Sequence, residues 1–149
     1  MHAKRTLIVL AADEDLRLVS HSGVGRGISE IRHLHAADFP DVDVEFTSPV
    51  GRSWGGGGTG KFGHETASKS EDVQERARFA AHVIAAIETE WRAGDYDQMI
   101  LSAGPKMLGV LRDLMPKPLA LRVAADLPKN LIKISLQDLP DHLADVIAL

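Results

Sequence analysis

Residues 48–65 read S-P-V-G-R-S-W-G-G-G-G-T-G-K-F-G-H-E, with seven glycines in eighteen residues (positions 51, 55–58, 60 and 63). The stretch divides the chain in character. Residues on its N-terminal side read as strands, and residues on its C-terminal side read as alternating helix and strand. Ordering the run Gly55, Gly56, Gly57 and Gly58 costs more backbone entropy than ordering any other residue type, so a core gains nothing from it. Such a run lets backbone approach a ligand or partner closely, or leaves a connection mobile. Trp54 stands just before it, with Ser53 beside the tryptophan, and Arg52, Lys61 and His64 put positive or protonatable groups around it. The segment reads as a presented loop that docks on an anionic partner. A plain connecting loop is the simpler alternative.

Gly55-x-x-x-x-Gly60-Lys61 matches the first seven positions of a phosphate-cradling P-loop. The eighth position should carry a hydroxyl for Mg²⁺, and it is Phe62. A P-loop also needs a helix that begins at once and a buried strand that feeds it. Gly63 and the break at Ser48-Pro49 speak against both, and the first helix start is expected at Ser68 or Ser70. Nucleotide hydrolysis by this loop is therefore not expected.

The chain of 149 residues fits one domain, taken as residues 1–149, and can bury one sizeable core. It has no cysteine, hence no disulfide framework and no thiolate metal site. The apolar run before Asp13 is too short for a signal peptide or a membrane span, so a cytoplasmic location without membrane attachment is expected. A net charge of −4 disfavours non-specific nucleic-acid binding and leaves the loop as the place for a basic patch.

Thr6–Ala12 is continuously apolar, as a strand buried on both faces requires. Asp13-Glu14-Asp15 turns, Leu16–Ser20 makes a second strand, and Gly23, Gly25 and Gly27 turn again. Ile28–His35 comes next as a third strand, and Val42, Val44 and Phe46 alternate in a short edge segment. Beyond the loop, Ser68 with Glu71 forms a capping-box pattern. Val73, Ala77, Ala80, Ile84, Ile87 and Trp91 then mark the apolar stripe of a long helix, with Glu75 and Arg78 off the stripe. Met99–Ala103 is a buried strand, Pro105 opens a helix, Leu119–Ala125 is a fifth strand, and a last helix starts at Asp138–Pro140 and runs toward the C-terminus. The order predicts an α/β domain with a mixed five-stranded sheet. A three-strand meander would be joined by two parallel crossovers, with helices on the faces, in a ribonuclease-H-like topology.

Several segments together resemble the bacterial host attachment family, whose members are implicated in attachment of plant-associated bacteria to host cells. They are L-I-V-L-A-A-D (7–13), S-P-V-G-R-S-W with its glycine run to Gly63-His64-Glu65, E-R-A-R-F-A (75–80), L-S-A-G-P-K-M-L-G-V-L-R (101–112) and L-P-K-N-L (127–131). That family is similar to the middle domain of archaeo-eukaryotic peptide-release factors, which carries a Gly-Gly-Gln loop on a ribonuclease-H-like topology. The resemblance implies a role at the ribosome, on peptidyl-tRNA. This chain departs from it where catalysis would lie. Thr59 comes directly after the glycine run, and the only glutamines are Gln74, Gln98 and Gln137. The family wording D-R-P-G-R-S-F also differs from S-P-V-G-R-S-W here.

Other constellations carry less. A two-metal nuclease needs converging carboxylates, and Asp13, Asp97 and Asp126 are the only candidates near strand ends. A small-anion site is conceivable at the carboxyl ends of strands one, four and five. There Ser102 precedes a helix N-terminus with Lys106 in its first turn, and Asp13 and Lys129 lie nearby. His33 and His35 share a strand face but lack a third ligand nearby in sequence, so no metal is expected. No cofactor is expected either. The preferred reading is a non-catalytic, translation-associated factor whose loop meets the ribosome or tRNA. The alternatives are a protein-binding adaptor acting through Trp54 and a small-anion or nucleotide binder.

Overall fold

The structure is a computed structural model; it describes residues 3–43 and 61–149, and for 61–70 the backbone alone. Strands β1 (Thr6–Ala11), β2 (Asp15–His21) and β3 (Ile28–His35) form a meander that ends in a single 3-10 turn at Ala36–Asp38. Helix α1 (Lys61–Ala93) leads to β4 (Gln98–Ala103), and α2 (Pro105–Leu114) and the short α3 (Lys117–Ala120) lead to β5 (Val123–Leu127). A five-residue α4 (Leu139–Leu143) lies near the end of the chain. The five strands make one sheet in the order β3-β2-β1-β4-β5. β1 runs antiparallel to β2 and parallel to β4, and β5 is parallel to β4. The expected mixed sheet, with a meander and two parallel crossovers, is the sheet observed.

Alternation along β1 assigns the two faces. Leu7, Val9 and Ala11 join one apolar cluster with Met99, Leu101 and Ala103 of β4, and α1 and α2 cover it with Phe79, Val83, Ile87, Leu108 and Leu111. Ile8 and Leu10 join the other with Val19, Ile100, Leu131, Leu139 and Leu143. The second face is thus closed largely by chain without regular structure, and polar side chains tie that chain down. Arg17 is 7% exposed, and its Nη1 donates to the carbonyls of Ile132 (3.1 Å) and Ile134 (2.6 Å) while Nε pairs with Glu30. The buried His21 ring bridges the carbonyls of Gly27 (2.9 Å) and Ala148 (3.1 Å). The last helix consequently does not run to the C-terminus: Val146 and Ile147 fold back onto the sheet after Leu143.

Two further expectations are corrected. The long helix begins at Lys61, not at Ser68 or Ser70, so residues 61–65, expected in the loop, are helix and the proposed capping box is interior helix. Between 61 and 93 the only poor helix former of consequence is Gly63, at about 1 kcal/mol against alanine, and extending an existing helix is cheaper than starting one. This removes one objection to the P-loop reading, but Phe62 still occupies the hydroxyl position. The fifth strand begins at Val123 instead of Leu119, because Pro116 and Pro118 preorganise the first turn of α3.

The phase of α1 also differs at its N-terminal half. Val73 is 57% exposed, whereas Glu75 is 7% exposed. Glu75 is held by the Asp43 amide and by Arg78. Ile84, 6% exposed, sits in the core as its stripe position requires. Ile84→Asp should destabilise the protein by about 3 kcal/mol or more, since it buries an unpaired carboxylate. Arg78→Asp should not be neutral, although Arg78 is exposed: it sets a second carboxylate against Glu75 and should cost about 1–3 kcal/mol. Urea unfolding monitored by circular dichroism separates the two effects.

Candidate functional site

Parallel sheets gather sites at the carboxyl ends of their strands, where loops part to either side. Here β1 ends at Ala11 and β4 at Ala103, side by side in register. Between the turn after β1 and the start of α2 lies an open cleft of about 720 Å³. Asp13, Glu14 and Asp15 form one wall; Gly104, Pro105 and Lys106 form another; Asn130, Ile132 and Lys133 close the third side. Pro105 occupies the first turn of α2, where its missing N–H costs nothing, and Gly104 is the N-cap without a side-chain cap bond.

The four residues expected to form an anion site separate into two pairs. Asp13 and Lys106 both line the cleft. Ser102 is fully buried under the segment after β5, and its hydroxyl donates to the Lys129 carbonyl at 2.7 Å. That bond ties the segment after β5 to β4, and the exposed Lys129 is not part of the cleft wall. Asp13 is also engaged elsewhere: Arg76 of α1 grips it with two bonds, Nε to Oδ1 at 3.0 Å and Nη2 to Oδ2 at 3.1 Å. The bond to Asp13 holds the Arg76 guanidinium above its already high ordinary value. Sequence reading missed Arg76, because a bidentate grip across 63 positions leaves no local signal.

A second, smaller cleft of about 230 Å³ lies on the other side of that pair. It is lined by Asp13, Glu14, Val42, Asp43, Asp72, Glu75 and Arg76. The segment Phe39–Asp43 forms part of this end of the molecule and is fastened to α1. Phe39 stacks on His82 with ring centroids 3.9 Å apart at 14°, and His82 Nε2 lies 2.7 Å from Asp41 Oδ1. The three carboxylates weighed for nuclease chemistry do not converge. Asp13 lies beyond the carboxyl end of β1, Asp97 precedes β4 and accepts from the Arg5 amide at 2.8 Å, and Asp126 is bonded to Arg112. Of the loop residues, Arg52, Ser53, Trp54, Gly55, Gly56, Gly57 and Gly58 lie outside the described residues; Lys61 and His64 fall in the first turns of α1, described as backbone.

The mixed five-stranded sheet with flanking helices is consistent with the release-factor-like fold that the sequence resemblance implies. Residues 5–143 match the model of the bacterial archaeo-eukaryotic release factor family 12. The chain belongs to that family. No curated protein matches it. Membership in family 12 carries the release-factor-like part of the resemblance drawn from sequence; the host-attachment name is not part of the match. Among the described residues of this family 12 chain, no helix is long and apolar enough to cross a membrane.

The tie between Asp41 and His82 should be sensitive to acid. The hydrogen bond from His82 holds the Asp41 carboxyl below its ordinary 3.8. A carboxyl with a lowered folded value contributes stability above its unfolded value and loses that contribution as pH falls through the folded one. Amide exchange at Val42, whose N–H donates to Phe39, should therefore accelerate relative to the sheet as pH drops below 3.8. Asp41→Asn should abolish this extra step.

Proposed function

We propose that the protein is a translation-associated binding factor that presents residues 48–65 to the ribosome or to tRNA without hydrolysing peptidyl-tRNA. Family 12 membership over residues 5–143, joined to a glycine-rich segment with no glutamine in it, carries this reading. The release-factor-like class supports a translation role. The missing Gly-Gly-Gln removes the group that hydrolysis would call upon.

The geometry of the flanking elements is consistent with presentation. Arg76 meets Asp13 at the carboxyl end of β1, and α1 starts fifteen residues earlier (76 minus 61). At 1.5 Å per residue the helix backbone extends about 22 Å beyond that point. Asp43, the last described residue before the segment, is held beside Glu75 at the same end. Arg52, Lys61 and His64 supply charge for phosphates, with Arg52 the better bidentate donor, and Trp54 supplies a stacking face.

Co-sedimentation on sucrose gradients, with a crosslinking pull-down repeated after nuclease, tests the reading. The protein should travel with ribosomal particles, and nuclease should release it. Arg52→Ala and Lys61→Ala should each weaken RNA binding and lower the salt slope by about 1. Trp54→Ala should cost about 1–3 kcal/mol and leave the slope unchanged. His64→Ala should lower affinity. Protein found only at the top of the gradient under stalled and unstalled conditions would refute the proposal, and a nuclease-resistant partner would point to a protein adaptor. Peptidyl-tRNA hydrolysis lost in His64→Ala at unchanged affinity would refute the non-catalytic part.

A further inference from the structure

The β2–β3 hairpin brings together a set of side chains that neither the family match nor the cleft explains. His33 and His35 are alternate residues of β3 and share one face. Asp15, at the start of β2, is the register partner of His35. Asp15 Oδ1 accepts from His35 Nδ1 and lies 3.8 Å from His33 Nε2, and the two imidazole rings have centroids 4.4 Å apart. One ligand atom from each of the three residues falls within 4.8 Å of the others. Nitrogen and carboxylate oxygen bind zinc at about 2.0–2.2 Å, so two ligand atoms of a tetrahedral ion stand roughly 3.4 Å apart. Small rotations about the side-chain bonds therefore suffice to place all three on a single cation.

We propose that Asp15, His33 and His35 form a binding site for a divalent transition-metal ion of the zinc type. Two imidazoles and one carboxylate select zinc and its neighbours over magnesium or calcium, which prefer all-oxygen shells. The side chains are 34%, 43% and 53% exposed for Asp15, His33 and His35, so water completes the coordination. Among the described residues, the competing cation on this face of the hairpin is Arg17, the register partner of His33, and Glu30 and two backbone carbonyls already engage it. Binding replaces the hydrogen bond between His35 Nδ1 and Asp15, and the ring proton then resides on Nε2, leaving Nδ1 free to act as the ligand. Asp15 also lines the larger cleft, so the ion would sit at that cleft's margin with open positions.

Isothermal titration of the untagged chain with zinc chloride should show one ion per chain. Affinity should fall by about tenfold or more in Asp15→Asn and in His33→Ala/His35→Ala, since loss of even an outer-shell partner has that effect. His82→Ala and His142→Ala should bind as the parent does. Cobalt(II) added to the unsubstituted protein should shift and broaden the ring-proton signals of His33 and His35 before those of any other histidine, which settles the matter should a variant fold poorly. Absence of zinc binding, binding undiminished in the double variant, or cobalt effects centred on other histidines would overturn the proposal.

Discussion

The structure depends on burying β1 on both faces. Thr6, Leu7, Ile8, Val9 and Leu10 are each 0% exposed, and Ala11 is hardly more. A strand in that position must hydrogen-bond on both edges and be covered on both sides, since unpaired backbone groups cannot stay buried. β2 and β4 satisfy the edges, one antiparallel and one parallel. That choice fixes the rest of the topology. The antiparallel partner can be reached by a tight turn, but the parallel partner demands a long crossover, and α1 is that crossover. The helix must run back along the sheet, so its start is carried to the carboxyl end of β1 and its end to the amino end. Tyr96 marks the second end: it stacks on Trp91 and receives the Arg5 guanidinium on its ring at 4.9 Å.

The two faces are closed by different means. Helices α1 and α2 bring apolar stripes, and their backbone bonds are internal. The opposite face is closed by residues 129–149, much of which has no regular bonding, so its carbonyls need donors from the sheet. Arg17, Ser102 and His21 provide them, each projecting from a strand position on that face. This explains why polar residues occupy otherwise apolar strands. In Ser102 the same fact accounts for a residue that, read from sequence, pointed to a ligand: a small hydroxyl before a helix start serves equally well to hold a neighbouring loop. Apart from the bond itself, nothing in the sequence distinguishes the two uses.

The strands were legible because their signal is local. The apolar runs at 7–11 and 99–101, and turn residues between 11 and 28, need no knowledge of partners. Boundaries that depend on distant contacts were not legible. The start of α1 was misplaced because glycine and serine near 63–70 look like a beginning, while the decision rests on the cooperativity of a long helix. Glu75 was assigned to the wrong face because its burial is made tolerable by the Asp43 amide and Arg78, one of them 32 positions away. The pairing of His33 and His35 with Asp15 was hidden in the same way. Alternation shows that the histidines share a face, but the third member is fixed only by hairpin register, which a turn containing three glycines of positive φ does not declare in advance.

The charge distribution bears on how a loop rich in glycine can act on a chain of net negative charge. Carboxylates concentrate at the carboxyl end of β1: Asp13, Glu14, Asp43, Asp72 and Glu75 line one cleft around the single Arg76, and Asp15 joins Asp13 and Glu14 in the other. An anion entering either cleft meets that field, and Lys106 and Lys133 offset it only on the far wall of the larger one. Residues 48–64 carry no carboxylate and hold Arg52, Lys61 and His64. Fields of opposite sign on one molecule orient a charged partner as well as attract it. Under the proposed function, a polyanion is drawn to Arg52, Lys61 and His64 and repelled by the acidic base that the two clefts form. Negative net charge is therefore compatible with nucleic-acid contact in this chain, provided the contact is confined to the glycine-rich segment. The same acidic base is a poor place for phosphate and a reasonable one for a cation.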